Sequence, residues 1–402
     1  MSKRKIVIIG AGYGGMLTTV QLQKIIPEGT AEIVLINRNQ YHYLTTLLHE
    51  TAAGTREDEK VCIDIRSLID PRKVTFIEDN VIDIEKEKQQ VILQNGEPIS
   101  YDYLVIGLGF EPATFGIPGL KEHSLSIRSV KTAREIRLKI EEAFARYAVQ
   151  PNREHPLTFV VGGGGFTGVE FVAELAERCY DLCEFHKIPY EQVRVICVEA
   201  GPGVLPGFPP ALVEYAMKSL SSQGVEFRIG TAIKEVTPGR VKLAKGDQMD
   251  EVIADVIIWT GGVQGCELIG RCDFDNLRGR IKVEKDLRAP GFNNIFAVGD
   301  SALIMDEANG RPYPPTAQFA VQEAFVCAKN ILASIQGQPL VPFVPDNKGS
   351  VASIGQHDAI GVVFGKQIQG VPAVFMNRMI DNRYLFFLGG LPLVMKKGRI
   401  PF

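Results

Sequence analysis

Two glycine clusters are the first places in this chain where residue type and spacing could support chemistry. Gly10, Gly12 and Gly15 in IVIIGAGYGG, and Gly163, Gly165 and Gly168 in GGGGFTG, both follow G-x-G-x-x-G. In this spacing the first glycine permits a tight turn, the second lets a pyrophosphate approach the backbone, and the third lets a helix pack on the preceding strand. The phosphates then sit at a helix N-terminus, where unpaired N–H groups and the helix dipole favour an anion. After each cluster the next apolar strand ends in a polar residue, Asn37 in EIVLIN and Glu199 in VRVICVE. That position reads ribose hydroxyls, and a carboxylate there repels a 2′-phosphate, so Glu199 favours NADH over NADPH. Asn37 accepts through one oxygen only, which suits a permanently held flavin dinucleotide better than a nicotinamide.

Other residues could act on what the glycines hold. Glu170 falls at the start of the helix after the second cluster, where the helix dipole favours an acid as a cap. The same position faces the space between the two clusters, where a carboxylate could handle protons. Asp300 stands at the C-terminal edge of the apolar strand IFAV, the edge at which open α/β sheets bind ligands. Gly262, after ADVIIWTG, lets the backbone come close to a nicotinamide. Ala317 and Gln318, in PPTAQFAVQ, open a helix whose first N–H groups could meet a flat ring. Tyr41 to Glu50, YHYLTTLLHE, reads as a short helix with aromatic, imidazole and hydroxyl groups but no cysteine. The seven cysteines include no close redox pair. Cys179 and Cys183 share a helix face, but no cluster completes a metal site, so they read as buried thiols and no metal is expected.

The elements that must position these groups alternate between strand and helix. Ile6 to Ile9 and Leu157 to Val161 are short continuous apolar runs, the pattern of strands covered on both faces. Met16 to Ile26 and a long segment from Phe171 read as the helices that follow, and Ala254 to Thr260 and Ile295 to Val298 as further buried strands. Val74 to Leu93 alternates apolar and polar residues and reads as an antiparallel excursion. A charged amphipathic helix over Val130 to Val149 runs into the polar linker QPNREHP, which marks a domain boundary.

The fold class is therefore α/β, with two Rossmann-like dinucleotide-binding domains. The first is discontinuous, over 1–150 and 271–345; the second is inserted over 151–270; a C-terminal region covers 346–402. A length of 402 residues suits this, at about 150 residues per domain. The net charge of −3 argues against a nucleic-acid binder, which needs a concentrated basic face. MSKRK leads straight into the first strand with no apolar signal, so the expected compartment is the cytoplasm. Tyr384 to Met395 is too short to span a bilayer and is broken by Gly389, Gly390 and Pro392. With Arg378, Arg383, Lys396, Lys397 and Arg399 around it, this run suits a helix lying in the membrane interface.

GAGYGG, NRNQYHY, GGGGFTGVE, FAVGD and AQFAVQ together resemble the two-dinucleotide flavoprotein family. Over its whole length the chain resembles the bacterial type II NADH dehydrogenases, single-subunit NADH:quinone oxidoreductases. The resemblance implies non-covalent FAD on the first domain, with Gly12, Tyr13, Gly14 and Gly15 at the pyrophosphate, Asn37 and Arg38 near the adenosine, and Asp300 at the ribityl chain. Gly10, Thr46, Ala317 and Gln318 are counted among the same ligands. It places NADH on Gly163, Gly165, Gly168, Glu170, Glu199 and Gly262, and sets Glu170 and Gln318 at the nicotinamide and quinone sides of the flavin. The acceptor it implies is a membrane quinone, menaquinone or ubiquinone, reached from the cytoplasmic face of the cell membrane without proton pumping; a homodimer is compatible. A lysine common in the family's C-terminal region has no match here, and Asn377 or Arg378 falls in its place. Sulfide:quinone oxidoreductases share the flavin and the membrane, but need paired cysteines that this chain lacks.

Overall fold

The computed structural model describes residues 3–150 and 153–399. Pro151 and Asn152 of the expected linker, and the outer ends of the first and last segments at 1–2 and 400–402, lie outside the described residues. In chain order the elements that build the site are β1 (Arg4–Ile9), α1 (Tyr13–Ile25), β2 (Ala31–Asn37), α2 (Leu48–Ala53), β3 (Val74–Glu78), β4 (Tyr103–Ile106) and β5 (Leu125–Ser126). They continue with α3 (Val130–Ala148), β6 (Leu157–Gly162), α4 (Phe166–His186), β7 (Val193–Glu199), β8 (Val225–Ile229), β9 (Val256–Trp259) and β10 (Ile295–Ala297). The chain closes with α5 (Ala317–Gln336), β11 (Gly349–Ser353), β12 (Ala359–Val363), β13 (Lys366–Gln369) and α6 (Val371–Lys397).

Two five-stranded parallel sheets carry the glycine loops, in the orders β10-β4-β1-β2-β3 and β5-β9-β6-β7-β8. In each the strand that feeds the glycines lies at the centre. Ile6, Val7, Ile8 and Ile9 are wholly buried, as are Leu157, Phe159, Val160 and Val161. Each such side chain contributes roughly 1.5–3 kcal/mol through burial, which is why both runs are apolar on both faces. Each unit also carries a three-stranded antiparallel sheet, Val81–Glu85 with Gln90–Leu93 and Ile99–Ser100 in the first, Ala232–Thr237 with Arg240–Lys245 and Gln248–Ile253 in the second.

Four expectations change. The chain enters the second unit before residue 150, because β5 pairs with β9 in the second sheet. The two crossings pair with each other, Phe110–Pro112 antiparallel to Val263–Gly265. The polar linker is a connection inside the second unit, between α3 and β6, so its composition marks exposure and not a boundary. The antiparallel excursion loses its first strand, since Val74–Glu78 joins the parallel sheet beside β2 and only the later residues form the antiparallel one. Tyr41–Tyr43 is a short strand paired with Cys62–Asp64, and helix begins only after it. Finally, α4 begins at Phe166, five residues earlier than the pattern suggested, because the extended backbone of Gly165 (φ −72°, ψ −171°) starts the helix without a side-chain cap.

Candidate functional site

The two glycine loops have nearly the same backbone. Gly10 and Gly163 take φ of +93° and +111°, a region that a side chain disfavours. A Cβ on Gly15 would lie 2.0 Å from the Gly10 carbonyl oxygen, and one on Gly168 1.9 Å from that of Gly163. Gly12 and Gly165 differ: a Cβ on either would meet nothing within 4 Å. The turn and the helix contact thus exclude side chains, while the space over each helix N-terminus is open. That pattern fits a diphosphate at both loops.

The strand-end residues hold the loops. Asn37 accepts from the Ala11 N–H at 3.0 Å and donates to the Asn39 carbonyl at 2.8 Å. Glu199 accepts from the Gly164 N–H at 2.6 Å through one oxygen and from the Gly201 N–H through the other. A carboxylate has about four acceptor positions, so Glu199 keeps capacity for ribose hydroxyls after bracing its loop. Arg38 is exposed beside Asn37.

What lies above the two loops differs. Tyr13 stacks on Tyr384 of α6, with ring centroids 4.1 Å apart, and its hydroxyl is 2.9 Å from Thr46 Oγ1. Tyr384 in turn hydrogen-bonds His42 Nε2 at 3.1 Å, and His42 Nδ1 meets the Ala11 carbonyl at 2.8 Å. The matching residue of the second loop, Phe166, packs edge-on against Phe208 of its own unit. Asp300 sits in a single turn of 3-10 helix (Gly299–Ser301) after β10, against the first loop: a Cβ on Gly14 would come within 3.2 Å of the Gly299 N–H nitrogen. Burial raises the Asp300 carboxyl, with Arg280 opposing. Glu323, buried below it and accepting from the Gly299 N–H, is pushed by burial up to about 8. The carbonyl of Gly262 accepts from the Ala113 N–H at 3.0 Å, and a Cβ on it would strike the Phe115 ring.

Ala317 and Gln318 open α5, with Thr316 as N-cap accepting from the Phe319 N–H and both prolines ahead of the helix. The Gln318 amide accepts from the Lys348 N–H at 2.8 Å and donates to the Gly349 carbonyl at 3.1 Å. Gln322, one turn on, makes the same paired contact with the backbone of Asp346, 2.9 Å each way. The two glutamines therefore staple the segment that leads into β11.

At the other end of β11 the Ser353 N–H donates to Glu170 Oε1 at 3.1 Å. Because α4 starts at Phe166, Glu170 lies beyond the first turn, and the capping role is excluded. Burial pushes its carboxyl up to about 8, with Glu50, Asp381 and Glu174 adding repulsion. His49 Nδ1 is 3.8 Å from Glu170 Oε2, and burial lowers the imidazole to about 4, so it is neutral. Glu50 is pushed up by burial, but the charges of Arg399 and Arg56 outweigh this and hold it below the usual carboxylate range. Arg399 reaches Glu50 Oε1 at 3.0 Å and Asp381 Oδ2 at 3.2 Å. Glu174 accepts from the Thr55 hydroxyl and is pushed by burial up to about 7.

Sequence reasoning located Glu170 but not His49, Glu50, Glu174, Asp381 or Arg399. One local signal was present: Glu170, Glu174 and Glu177 recur at helical spacing in the mostly apolar first half of α4. All seven cysteines are free, and burial raises the Cys179 and Cys183 thiols, as the reading of inert thiols requires. His49, Glu50 and Glu174 offer ligand atoms within 4.8 Å of one another, but Arg56 and Arg399 already hold Glu50, which disfavours a metal cation there.

Residues 4–324 match the family model described as pyridine nucleotide-disulphide oxidoreductase. A type II NADH:quinone oxidoreductase of Staphylococcus saprophyticus is 39% identical over 398 residues, 99% of each chain. Among solved structures, NDH2 from Plasmodium falciparum in complex with NADH aligns over 100% of both chains with TM-score 0.86 at 20% identity. The sulfide:quinone oxidoreductase of Aquifex aeolicus aligns over 96% of this chain and 91% of that one, with TM-score 0.79 at 22% identity.

Proposed function

The chain belongs to the pyridine nucleotide-disulphide oxidoreductases, and within them to the type II NADH:quinone oxidoreductases, and from that premise we propose how its residues divide the work. It is an FAD-dependent enzyme that oxidises NADH and reduces a quinone. The bound flavin supplies the redox chemistry, taking a hydride from NADH and giving two electrons to the quinone. Gly10, Gly12, Gly14 and Gly15, with Tyr13, Asn37, Arg38, Thr46, Asp300, Ala317 and Gln318, hold FAD non-covalently. Gly163, Gly165, Gly168, Glu199 and Gly262 receive NADH, with Glu170 between the two. The observation that carries this division is the roof over the first loop: Tyr13 under Tyr384 and tied to Thr46 suits a resident ligand, while at the second loop Phe166 meets Phe208 and, among the described residues, stacks on no ring of the C-terminal helix. Holding both ligands converts transfer between them into an effectively intramolecular step.

The test is an absorption spectrum of the purified protein followed by NADH and then a short-chain quinone. The flavin bands bleach with NADH and return with quinone; bands that do not bleach overturn the reading. Robust quinone reduction by sulfide would favour the alternative chemistry, for which the free, raised thiols give no support.

The quinone is reached at a membrane surface. Among the described residues no helix is long and apolar enough to cross a bilayer. Instead α6 exposes Val371, Phe375, Met379 and Phe386 along one stripe and turns at Gly390 (φ +68°) before Lys396 and Lys397. Apolar side chains on one face and cations near the end suit the interface of the cytoplasmic leaflet. Tyr384, Leu385, Leu388 and Leu393 are buried, so truncating the segment would damage the core. Met379→Glu with Phe386→Glu leaves the buried face intact and releases the protein from anionic vesicles in co-sedimentation; undiminished binding removes the assignment.

A further inference from the structure

Directly after the first crossing between the units, Thr114, Phe115, Gly116 and Ile117 make a turn closed by the Ile117 N–H on the Thr114 carbonyl at 3.0 Å. Its two central residues both take positive φ, +50° at Phe115 and +72° at Gly116. That is the pattern of a type I′ turn, in which Asn, Asp and Gly are favoured and an aromatic residue is strained. Burial does not compensate for the strain, because Phe115 is 59% exposed. Strained residues held in place by their surroundings concentrate at ligand clamps.

The surroundings hold the backbone on both flanks of this turn. On one flank the Ala113 N–H donates to the Gly262 carbonyl at 3.0 Å, and the Ala113 carbonyl accepts from Trp259 Nε1 at 2.8 Å. On the other the Pro118 carbonyl accepts from the Val236 N–H at 2.9 Å, and a Cβ on Gly119 would lie 1.9 Å from the Val236 carbonyl oxygen. Between these anchors the Phe115 ring lies over the Cα of Gly262, where a Cβ would come within 2.6 Å of its edge. Trp259 meets it edge-on, with ring centroids 6.4 Å apart and planes at 76°.

That place is where the far half of a dinucleotide falls. A ligand whose diphosphate sits on the loop after β6 lies across the C-terminal edge of the sheet. In the order β5-β9-β6-β7-β8, Glu199 ends β7 on one side of that loop, and Gly261 and Gly262 follow β9 on the other. The two glycine segments are in contact, since a Cβ on Gly163 would lie 2.5 Å from the Gly261 Cα. The Thr260 hydroxyl fixes them together, reaching the Gly162 and Gly163 carbonyls at 3.0 and 3.1 Å. With the adenosine ribose at Glu199, the nicotinamide nucleoside extends over Gly261 and Gly262 towards Phe115.

We propose that Phe115 is a clamp for the nicotinamide half of NADH: its ring swings off Gly262 as the dinucleotide enters and closes against the nicotinamide nucleoside. This rests on the reading of the second loop and Gly262 as the NADH site. The flat, neutral dihydronicotinamide and the carbon face of its ribose are surfaces on which an aromatic ring packs well. Because the backbone is held at Ala113 and Pro118, the ring keeps only its side-chain torsions, and ordering it on the ligand costs little entropy. The left-handed backbone at Phe115 is what aims the side chain at Gly262, which is why the turn keeps an aromatic residue where Asn would fit the backbone better.

The experiment compares Phe115→Asn, Phe115→Ala and Phe115→Tyr with the unaltered FAD-loaded protein. Stopped-flow reduction of the flavin over a range of NADH concentrations gives the Kd for NADH. Competition by ADP, which carries the adenosine and the diphosphate but no nicotinamide nucleoside, reports the other half of the site, and thermal unfolding reports the fold. Phe115→Asn and Phe115→Ala raise the Kd for NADH by roughly fivefold or more, the loss of one aromatic contact, while ADP binds within about twofold of its unaltered strength. Phe115→Tyr keeps the ring and binds NADH within about twofold. Phe115→Asn also unfolds at the same temperature or a few degrees higher, because Asn relieves the turn. A ring that served only to hold the crossing together would instead lower the Tm and weaken ADP and NADH alike, and that result overturns the clamp. NADH binding unaltered in both Phe115→Asn and Phe115→Ala overturns it too. Gly262→Ala separates the two readings: if it weakens NADH while the Phe115 variants do not, only the clamp fails, and if it too is silent, Gly262 does not receive NADH.

Discussion

The loop over Gly10–Gly15 and the loop over Gly163–Gly168 are the same device set in two different enclosures. Both feed from the central strand of a five-stranded parallel sheet, both begin their helix from an extended glycine (φ −73°, ψ −169° at Gly12; φ −72°, ψ −171° at Gly165), and both are braced by the side chain that ends the next strand. The difference lies in distant chain. Tyr384, 371 positions after Tyr13, roofs the first loop, and the turn at Gly299 presses on Gly14. Phe166 instead meets Phe208 of its own unit. The comparison teaches that one backbone device can sit in two unlike enclosures; on the proposed reading the backbone selects the ligand class, a diphosphate, and the enclosure selects how long the ligand stays.

Matched substitutions sharpen or break this division. The largest effect is expected from Gly15→Ala and Gly168→Ala, since either new Cβ meets a carbonyl oxygen at about 2 Å and the helix must shift. Gly15→Ala gives protein without bound flavin by absorbance, while Gly168→Ala keeps the flavin and raises KM for NADH more than tenfold; flavin loss from both erases the division. A middle effect follows from Glu199→Ser, which removes the charge facing a 2′-phosphate and lowers the NADH over NADPH preference in kcat/KM by roughly tenfold, about 1.4 kcal/mol. An unchanged ratio assigns Glu199 to bracing its loop alone. The smallest belongs to Tyr13→Phe, which removes the hydrogen bond to Thr46 but keeps the stack on Tyr384, costing about 1 kcal/mol and lowering Tm by a few degrees at most, with faster flavin dissociation. Flavin dissociation at the unaltered rate shows that the Thr46 tie does not retain it.

The sequence made both loops legible because their requirements are local. A tight turn at positive φ, an open diphosphate space and a close helix contact each exclude side chains at fixed spacing, whatever the rest of the chain does. The same holds for the buried strands, for the end of each second strand at Asn37 and Glu199, and for a C-terminal segment too short and too interrupted to cross a membrane. Boundaries were less legible. The linker at 150–156 is polar because it is exposed, and exposure does not distinguish a connection within a unit from one between units. The start of α4 was set by Gly165 backbone alone, with no capping side chain to announce it.

Only the tertiary structure decided what Glu170 faces. Its partners, His49 on one side and Ser353 183 residues away on the other, reach it because β11 is fixed at its far end by Gln318 and laid across α4 at the near one. Arg399 is brought back to Glu50 by Asn382, which accepts from its backbone N–H and donates to its carbonyl. Side-chain spacing along one helix placed Glu170, Glu174 and Glu177 on a common face. Whether that face met water, cations or an apolar interior depended on elements packed from elsewhere, and burial by those elements is what raises the carboxyls.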